Sequence, residues 1–366
     1  MLTRPMRKFP RIVVIGGGTG SYTILTGLKR HRVHLTAIVS MADDGGSSGR
    51  LRDEFGHLPP GDVRRCLLAL SSDSSRELRR LFEYRFDRGR GLGGHNFGNL
   101  LLTALTELTG RGDLAIAEAG RLLGIKGVVL PVTLSDSRLC AELEGGAILR
   151  GETHIDIRAE GLTGKIKRIF LEPRAIAHPE ALAAIHRADV VVIGPGDLYT
   201  SLLPNLVVAG ISSAITSAAA TRIYVCNVMT KHGETDGYRA SDFVHEVQGY
   251  LGAGWSLDHV VVNDPDGLPQ SLLDIYAEEQ AFPVVPDVER IRLLGAIPYV
   301  RHVASANNLL RHDPDMLAAA VMQLIEQAAP AAGTADDPRW HLPQDTTAPD
   351  GRVLRPEQDR LLKLVQ

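Results

Sequence analysis

The chain has 366 residues, of which 44% are hydrophobic and 23% charged, a globular balance that excludes a disordered chain and a membrane-embedded one. Forty basic against forty-three acidic side chains leave a formal charge of -3, so no global positive excess is present for binding a nucleic-acid backbone. At about 150 residues per domain, the length allows two compact units or one large α/β unit carrying an insertion.

From Arg11 onward, short apolar runs alternate with glycine turns and helical periods, the pattern of an α/β fold on a parallel sheet. Residues 1–10 read as an N-terminal extension and 11–328 as a Rossmann-like, doubly wound α/β domain. Residues 12–15 form the first buried strand. Glycines follow over 16–20, then a helix with Ile24, Leu25 and Leu28 at helical spacing. Further strands are expected at 35–39, 190–193, 223–228 and 260–262, each flat in hydrophobicity as strands covered on both faces should be. The spacing predicts helices over 62–70, with Asp62 as N-cap, and over 99–108, 178–186, 241–251 and 314–328.

Between about 128 and 171, short runs separated by glycine turns replace long helical periods, which reads as a β-rich insertion. The uncharged run 198–221 contains Pro204, Asn205 and several hydroxyl residues, and reads as a buried loop and helix, not a membrane span. After Ala328 the composition shifts to Pro, Ala and Asp, so 329–366 reads as a mobile tail with a short helix over 353–365. Cys66, Cys140 and Cys226 stand far apart and in no C-x-x-C pair, which points to a reducing, cytoplasmic compartment. Only four apolar residues, 12–15, follow the basic start of the chain, too few for a signal-peptide core.

The segment Gly16-Gly17-Gly18-Thr19-Gly20-Ser21 lies between the first strand and its helix. Glycine allows close approach and positive φ, so amides at the helix start can point at a phosphate, where the helix dipole also favours an anion. Ser21 breaks the G-x-G-x-x-G register and the Walker lysine is absent; the plain alternative is a tight turn with no ligand. Asp43-Asp44-Gly45-Gly46-Ser47-Ser48-Gly49-Arg50 follows the second strand. Its carboxylates could bind Mg²⁺ or accept ribose hydroxyls, while the Gly/Ser turn and Arg50 could face phosphate oxygens. A solvated turn is the alternative there.

Two further loop-to-helix entries are Leu58-Pro59-Pro60-Gly61-Asp62-Val63-Arg64-Arg65 and Gly93-Gly94-His95-Asn96-Phe97-Gly98-Asn99. His95 could act in acid–base chemistry or hold a phosphate, whereas Asn96 or Asn99 could simply cap a helix. Gly194-Pro195-Gly196-Asp197-Leu198-Tyr199-Thr200-Ser201 again ends a strand in glycines and hydroxyl residues. Asn227 and Thr230 could read a sugar or base. Glu234 or Asp236, in the turn that follows, could assist a metal or only bond that turn. No G-x-S-x-G elbow or H-E-x-x-H zinc site is present. The chemistry that remains is binding of a phosphorylated ligand, with loops distant in sequence converging at the C-terminal ends of strands.

Six motifs, at 13–20, 43–49, 59–62, 94–100, 194–201 and 227–237, closely resemble in sequence and order those of the bacterial YvcK-like gluconeogenesis factors. Those proteins in turn resemble the 2-phospho-L-lactate transferase family, CofD. The likeness implies a cytoplasmic protein that binds UDP-sugars, notably UDP-N-acetylglucosamine, and is needed for cell shape and cell-wall synthesis on gluconeogenic carbon. Wall-synthesis or regulatory proteins are the implied partners, and a homodimer the implied assembly. It implies no reaction for this branch; the transferase branch moves a phospholactyl group from a guanosine diphosphate donor to a deazaflavin with Mg²⁺.

On the UDP-sugar reading, residues 16–21 and 194–201 surround the pyrophosphate, Asp43 or Asp44 meets ribose or a metal, and Asn227 and Thr230 complete the pocket. On the transferase alternative, Asp43 and Asp44 hold Mg²⁺ and His95 assists. The chain departs from the resembled pattern at Lys231-His232, where Gln-Pro is expected, and at Asp197, where Ser is expected.

Overall fold

The computed structural model describes residues 9–72, 76–158, 164–306 and 309–328. The expected tail with its terminal helix, 329–366, and most of the N-terminal extension lie outside the described residues. In chain order the strands are β1 (Arg11–Gly16), β2 (His34–Val39), β3 (Val128–Pro131), β4 (Arg138–Leu143), β5 (Ile148–Arg150), β6 (Ile166–Glu172), β7 (Val190–Ile193), β8 (Thr221–Val225), β9 (His259–Asn263), β10 (Ile297–Arg301), β11 (Ala304–Ala306) and β12 (Leu310–His312). The helices are α1 (Gly18–Leu28), α2 (Gly46–Phe55), α3 (Gly61–Leu70), α4 (Arg76–Glu83), α5 (Phe97–Thr109), α6 (Gly112–Leu123), α7 (Glu152–Asp156), α8 (Pro179–Arg187), α9 (Leu203–Leu206), α10 (Ile211–Ser217), α11 (Ala240–Leu251), α12 (Gln270–Glu278), α13 (Val288–Leu293) and α14 (Pro314–Ala328).

Seven strands make one parallel sheet in the order β10-β9-β8-β7-β1-β2-β3. The central strands are apolar throughout because helices cover both faces: Val190 to Ile193 in β7 and Val260 to Val262 in β9 are fully buried. From β1 the chain builds outward through β2 and β3, then returns to the other side of β1 and builds outward again from β7. The order therefore reverses between β1 and β7, and a doubly wound sheet opens its ligand crevice at such a point.

Strands β5, β4 and β6 form a separate antiparallel sheet, the β-rich part of the 128–171 stretch. The first residues of that stretch do not join it: β3 pairs parallel with β2, at the edge of the main sheet. Helix α3 starts at Gly61 behind Pro60, with no side-chain cap, so Asp62 is not its N-cap. Helix α5 starts at Phe97, two residues before the expected boundary. The 198–221 run folds as a wide π turn over Leu198–Leu202 followed by α9 and α10. Among the described residues, no helix is long and apolar enough to cross a membrane.

Candidate functional site

Ile15 in β1 lies opposite Ile193 in β7, so the two glycine loops leave the sheet side by side at the reversal point. They open onto a cleft of about 530 Å³. Gly17 precedes α1 without a side-chain cap, which leaves first-turn amides facing outward. Gly18 has φ +62, in the left-handed region that favours glycine. A Cβ on Gly20 would run into the Pro195 carbonyl, so only glycine lets α1 approach the second loop this closely. Asn205, fully buried, clamps both loops from behind. Its Nδ2 donates to the carbonyls of Ser201 (2.8 Å), Leu202 (3.2 Å) and Gly16 (3.4 Å).

Thr19, Thr200 and Ser201 line the cleft near these glycines, with Arg65 from α3 alongside; Arg65 donates to Thr19 Oγ1 at 3.3 Å. Across the cleft, Asn227 donates through Nδ2 to the Gly196 carbonyl at 3.0 Å. Its Oδ1 is shielded from solvent and has no partner, an acceptor suited to an incoming N–H or O–H. Thr230 also lines the cleft; its Oγ1 accepts from the Phe282 amide at 2.9 Å, which fixes the loop.

One rim is acidic. Asp43 and Asp62 line the cleft with Glu152 from α7. Burial, then the charge of Asp43, push the Asp62 pKa up to about 7 against the pull of Arg65 and the Gly18 amide. Burial, then Asp43, push Glu152 up to about 8. Asp43 thus disfavours a second negative charge on either neighbour. Asp44 does not line the cleft. Its Oδ1 accepts from the Thr153 amide (2.8 Å) and hydroxyl (2.7 Å), tying α7 to the Asp43 loop.

The far wall comes from the chain's last third: Tyr276 and Glu279 around α12, and Arg311 and His312 on the β11–β12 hairpin. Tyr276 Oη accepts from the Leu310 amide at 3.1 Å and joins the two pieces. His312 Nε2 donates to the Cys226 carbonyl at 3.1 Å, and burial lowers its pKa to about 4, so the imidazole is neutral. None of these four, nor Glu152, stands in a motif that the sequence singles out; each is a lone residue brought in by the tertiary fold, whereas Arg65 closes the loop-to-helix entry 58–65.

Other expected site residues sit behind the cleft. Asn96 caps α5, accepting from the Asn99 amide at 3.3 Å. Asn99 donates to Ser47 Oγ (3.2 Å) and Ser48 Oγ (3.5 Å), and Ser47 bonds His95 Nδ1 at 3.2 Å. Burial, then Arg50 and Arg85, lower the His95 pKa. This buried network organises the starts of α2 and α5. Leu198 and Tyr199 belong to the core, Tyr199 Oη bonding Tyr238 Oη at 2.8 Å. Gly16, Ser21, Gly49 and Gly194 support the loops without lining the cleft. Asp236 closes its own turn, accepting from the Gly233 amide at 2.8 Å.

The two departures from the resembled pattern touch each other: Lys231 Nζ donates to Asp197 Oδ2 at 2.8 Å, and both residues line the cleft.

Residues 12–303 match the family described as 2-phospho-L-lactate transferase CofD. The chain is 44% identical over 318 residues to a gluconeogenesis factor of Halalkalibacterium halodurans, covering 86% of this chain and 97% of that protein. It is 41% identical over 325 residues to the gluconeogenesis factor of Bacillus subtilis, covering 88% of this chain and all of that one. The crystal structure of protein BH3568 from Bacillus halodurans superimposes with a TM-score of 0.82 at 43% identity, over 86% of this chain and 100% of the other. The chain therefore belongs to the CofD family, in the branch of the gluconeogenesis factors.

Proposed function

We propose that the cleft binds a UDP-sugar, UDP-N-acetylglucosamine first among them, and that the protein acts in the cytoplasm as a ligand-responsive gluconeogenesis factor serving cell-wall synthesis and cell shape. The observation that carries this reading is the meeting of two glycine loops at the sheet's reversal point, faced by the unpartnered Asn227 Oδ1. The diphosphate sits over the start of α1, within reach of Thr200, Ser201 and Arg65, where amides, hydroxyls and a guanidinium meet negative charge. Asn227 accepts from the nucleoside, and the sugar extends toward the far wall. A volume of about 530 Å³ falls in the range of small-ligand pockets. Calorimetric titration with UDP-N-acetylglucosamine, UDP-glucose and GDP tests it; selective UDP-sugar binding is expected.

A second reading is favoured by one observation, the buried Asp62 beside Asp43 on the cleft, its pKa raised by burial and by that neighbour's charge. On it the protein is an Mg²⁺-dependent phospholactyl-type transferase with a nucleoside-diphosphate donor. Asp43 and Asp62 hold the metal, which screens the phosphate charge when bound. Turnover of labelled donor in the presence of a deazaflavin separates the two, because a pure binder gives none.

A further inference from the structure

Three carboxylates from three separate segments meet on the wall of the cleft that carries Asp197. Asp156 closes α7, Asp197 follows β7, and Glu234 lies in the turn after β8. One carboxylate oxygen from each lies within 4.8 Å of the other two. Two oxygens on opposite sides of a calcium-sized ion stand about 4.8 Å apart, given bonds of about 2.4 Å, so this spacing is that of a shared coordination sphere. The centre is filled by an ammonium. Lys231 Nζ contacts Asp156, Asp197 at 2.8 Å and Glu234 at 3.0 Å, three acceptors for three N–H donors.

The ammonium does not complete the cage. Glu234 has a side chain only 1% exposed, and its Oε2 is buried with no partner. Its other oxygen accepts from Lys231 and, at 3.4 Å, from Thr200 Oγ1. Three carboxyl groups face the ammonium and, on the side of Glu234, the charge of Arg158, and a fourth oxygen is left over. A divalent ion with six or more oxygen sites would satisfy that oxygen and balance more of the charge.

We propose that Asp156, Asp197 and Glu234 form a divalent-cation site that the ammonium of Lys231 keeps filled, so that this wall of the cleft carries a built-in cation in place of a metal. Lys231 thereby locks α7, the second glycine loop and the 231–237 turn to one another without drawing on an ion from solution. The inference does not depend on which ligand the cleft holds: a chain that failed to bind any UDP-sugar would leave it standing.

The test is Mn²⁺ titration, by the loss of the free-ion electron paramagnetic resonance signal, of the wild type, Lys231→Met, Lys231→Gln and Lys231→Arg. Each is repeated with Asp156→Asn, because the Asp43, Asp62 and Glu152 group could contribute background binding. Expected are one additional Mn²⁺ per chain in the Met and Gln variants, at least tenfold tighter than any Asp156-dependent binding in the wild type, and none in the Arg variant. Their melting temperatures should rise with Mn²⁺ while that of the wild type does not. Should Lys231→Met fail to fold alone, Mn²⁺ must restore its circular dichroism or that of Lys231→Gln. Mn²⁺ binding equal to wild type, a gain that survives Asp156→Asn, or variants that stay unfolded with the ion would each overturn the proposal.

Discussion

Asp62 holds a proton that an exposed aspartate would have released, because burial and Asp43 raise its pKa from 3.8 to about 7. Between those values the folded chain binds a proton that the unfolded chain does not, so this group's contribution to stability is greatest at low pH and falls as pH rises through about 7. Asp62→Asn keeps an acceptor for the Gly18 amide but cannot ionise. Its melting temperature should exceed that of the wild type at pH 8 and by a smaller margin at pH 5; scanning calorimetry at the two pH values checks this, and a lowered value at pH 8 would contradict it. Asn205 makes a different kind of prediction. Alanine there removes the side-chain donor to the Ser201 and Leu202 carbonyls in the core, and urea denaturation should show a loss of about 1–3 kcal/mol. Asn227→Ala gives up one bond, to the Gly196 carbonyl at the cleft, and should weaken UDP-N-acetylglucosamine at least tenfold with a smaller fall in melting temperature than Asn205→Ala.

Helix α1 can approach the second glycine loop only because position 20 has no side chain. Gly20→Ala should push the two apart, costing about 1–3 kcal/mol as an overpacked contact and abolishing ligand binding; a variant that binds normally would show that the loops act separately. Thr153→Val removes one of the two bonds to Asp44, and hydrogen exchange should then quicken in α7 while β1 stays protected. The elements that could be read in advance share a physical reason. Strands β1, β7 and β9 are flat apolar runs because they are buried on both faces, and the glycines after β1 and β7 mark required backbone approaches. Helix α2 stayed hidden in the Gly-Gly-Ser-Ser-Gly run, whose intrinsic helix propensity is poor; its first turn is held by bonds from Asn99 and His95, residues far away in sequence. Asp62 looked like a cap because its position in sequence fits one, yet its burial against Gly17 and Gly18 makes it part of the acidic rim. Tyr276, Arg311 and Glu152 carry no local pattern, since only the assembled sheet and hairpin bring them to one cleft.

At the scale of the molecule, the reversal of strand order between β1 and β7 decides where the site lies, and family membership agrees with that architecture. On the UDP-sugar reading, the near-balanced charge of -3 leaves phosphate recognition to local groups: helix-start amides, Thr200, Ser201 and Arg65. Binding should therefore weaken only modestly between low and physiological salt, as expected for a buried diphosphate and not for a diffuse basic surface. The central claim is that this crevice is a UDP-sugar site. Its most direct test is calorimetric titration of the wild type and Asn227→Ala with UDP-N-acetylglucosamine and GDP, each with and without Mg²⁺. Saturable binding of the UDP-sugar by the wild type, with GDP weaker and the variant at least tenfold impaired, is the predicted result. Preference for GDP with an absolute need for Mg²⁺, or full binding by Asn227→Ala, would contradict it.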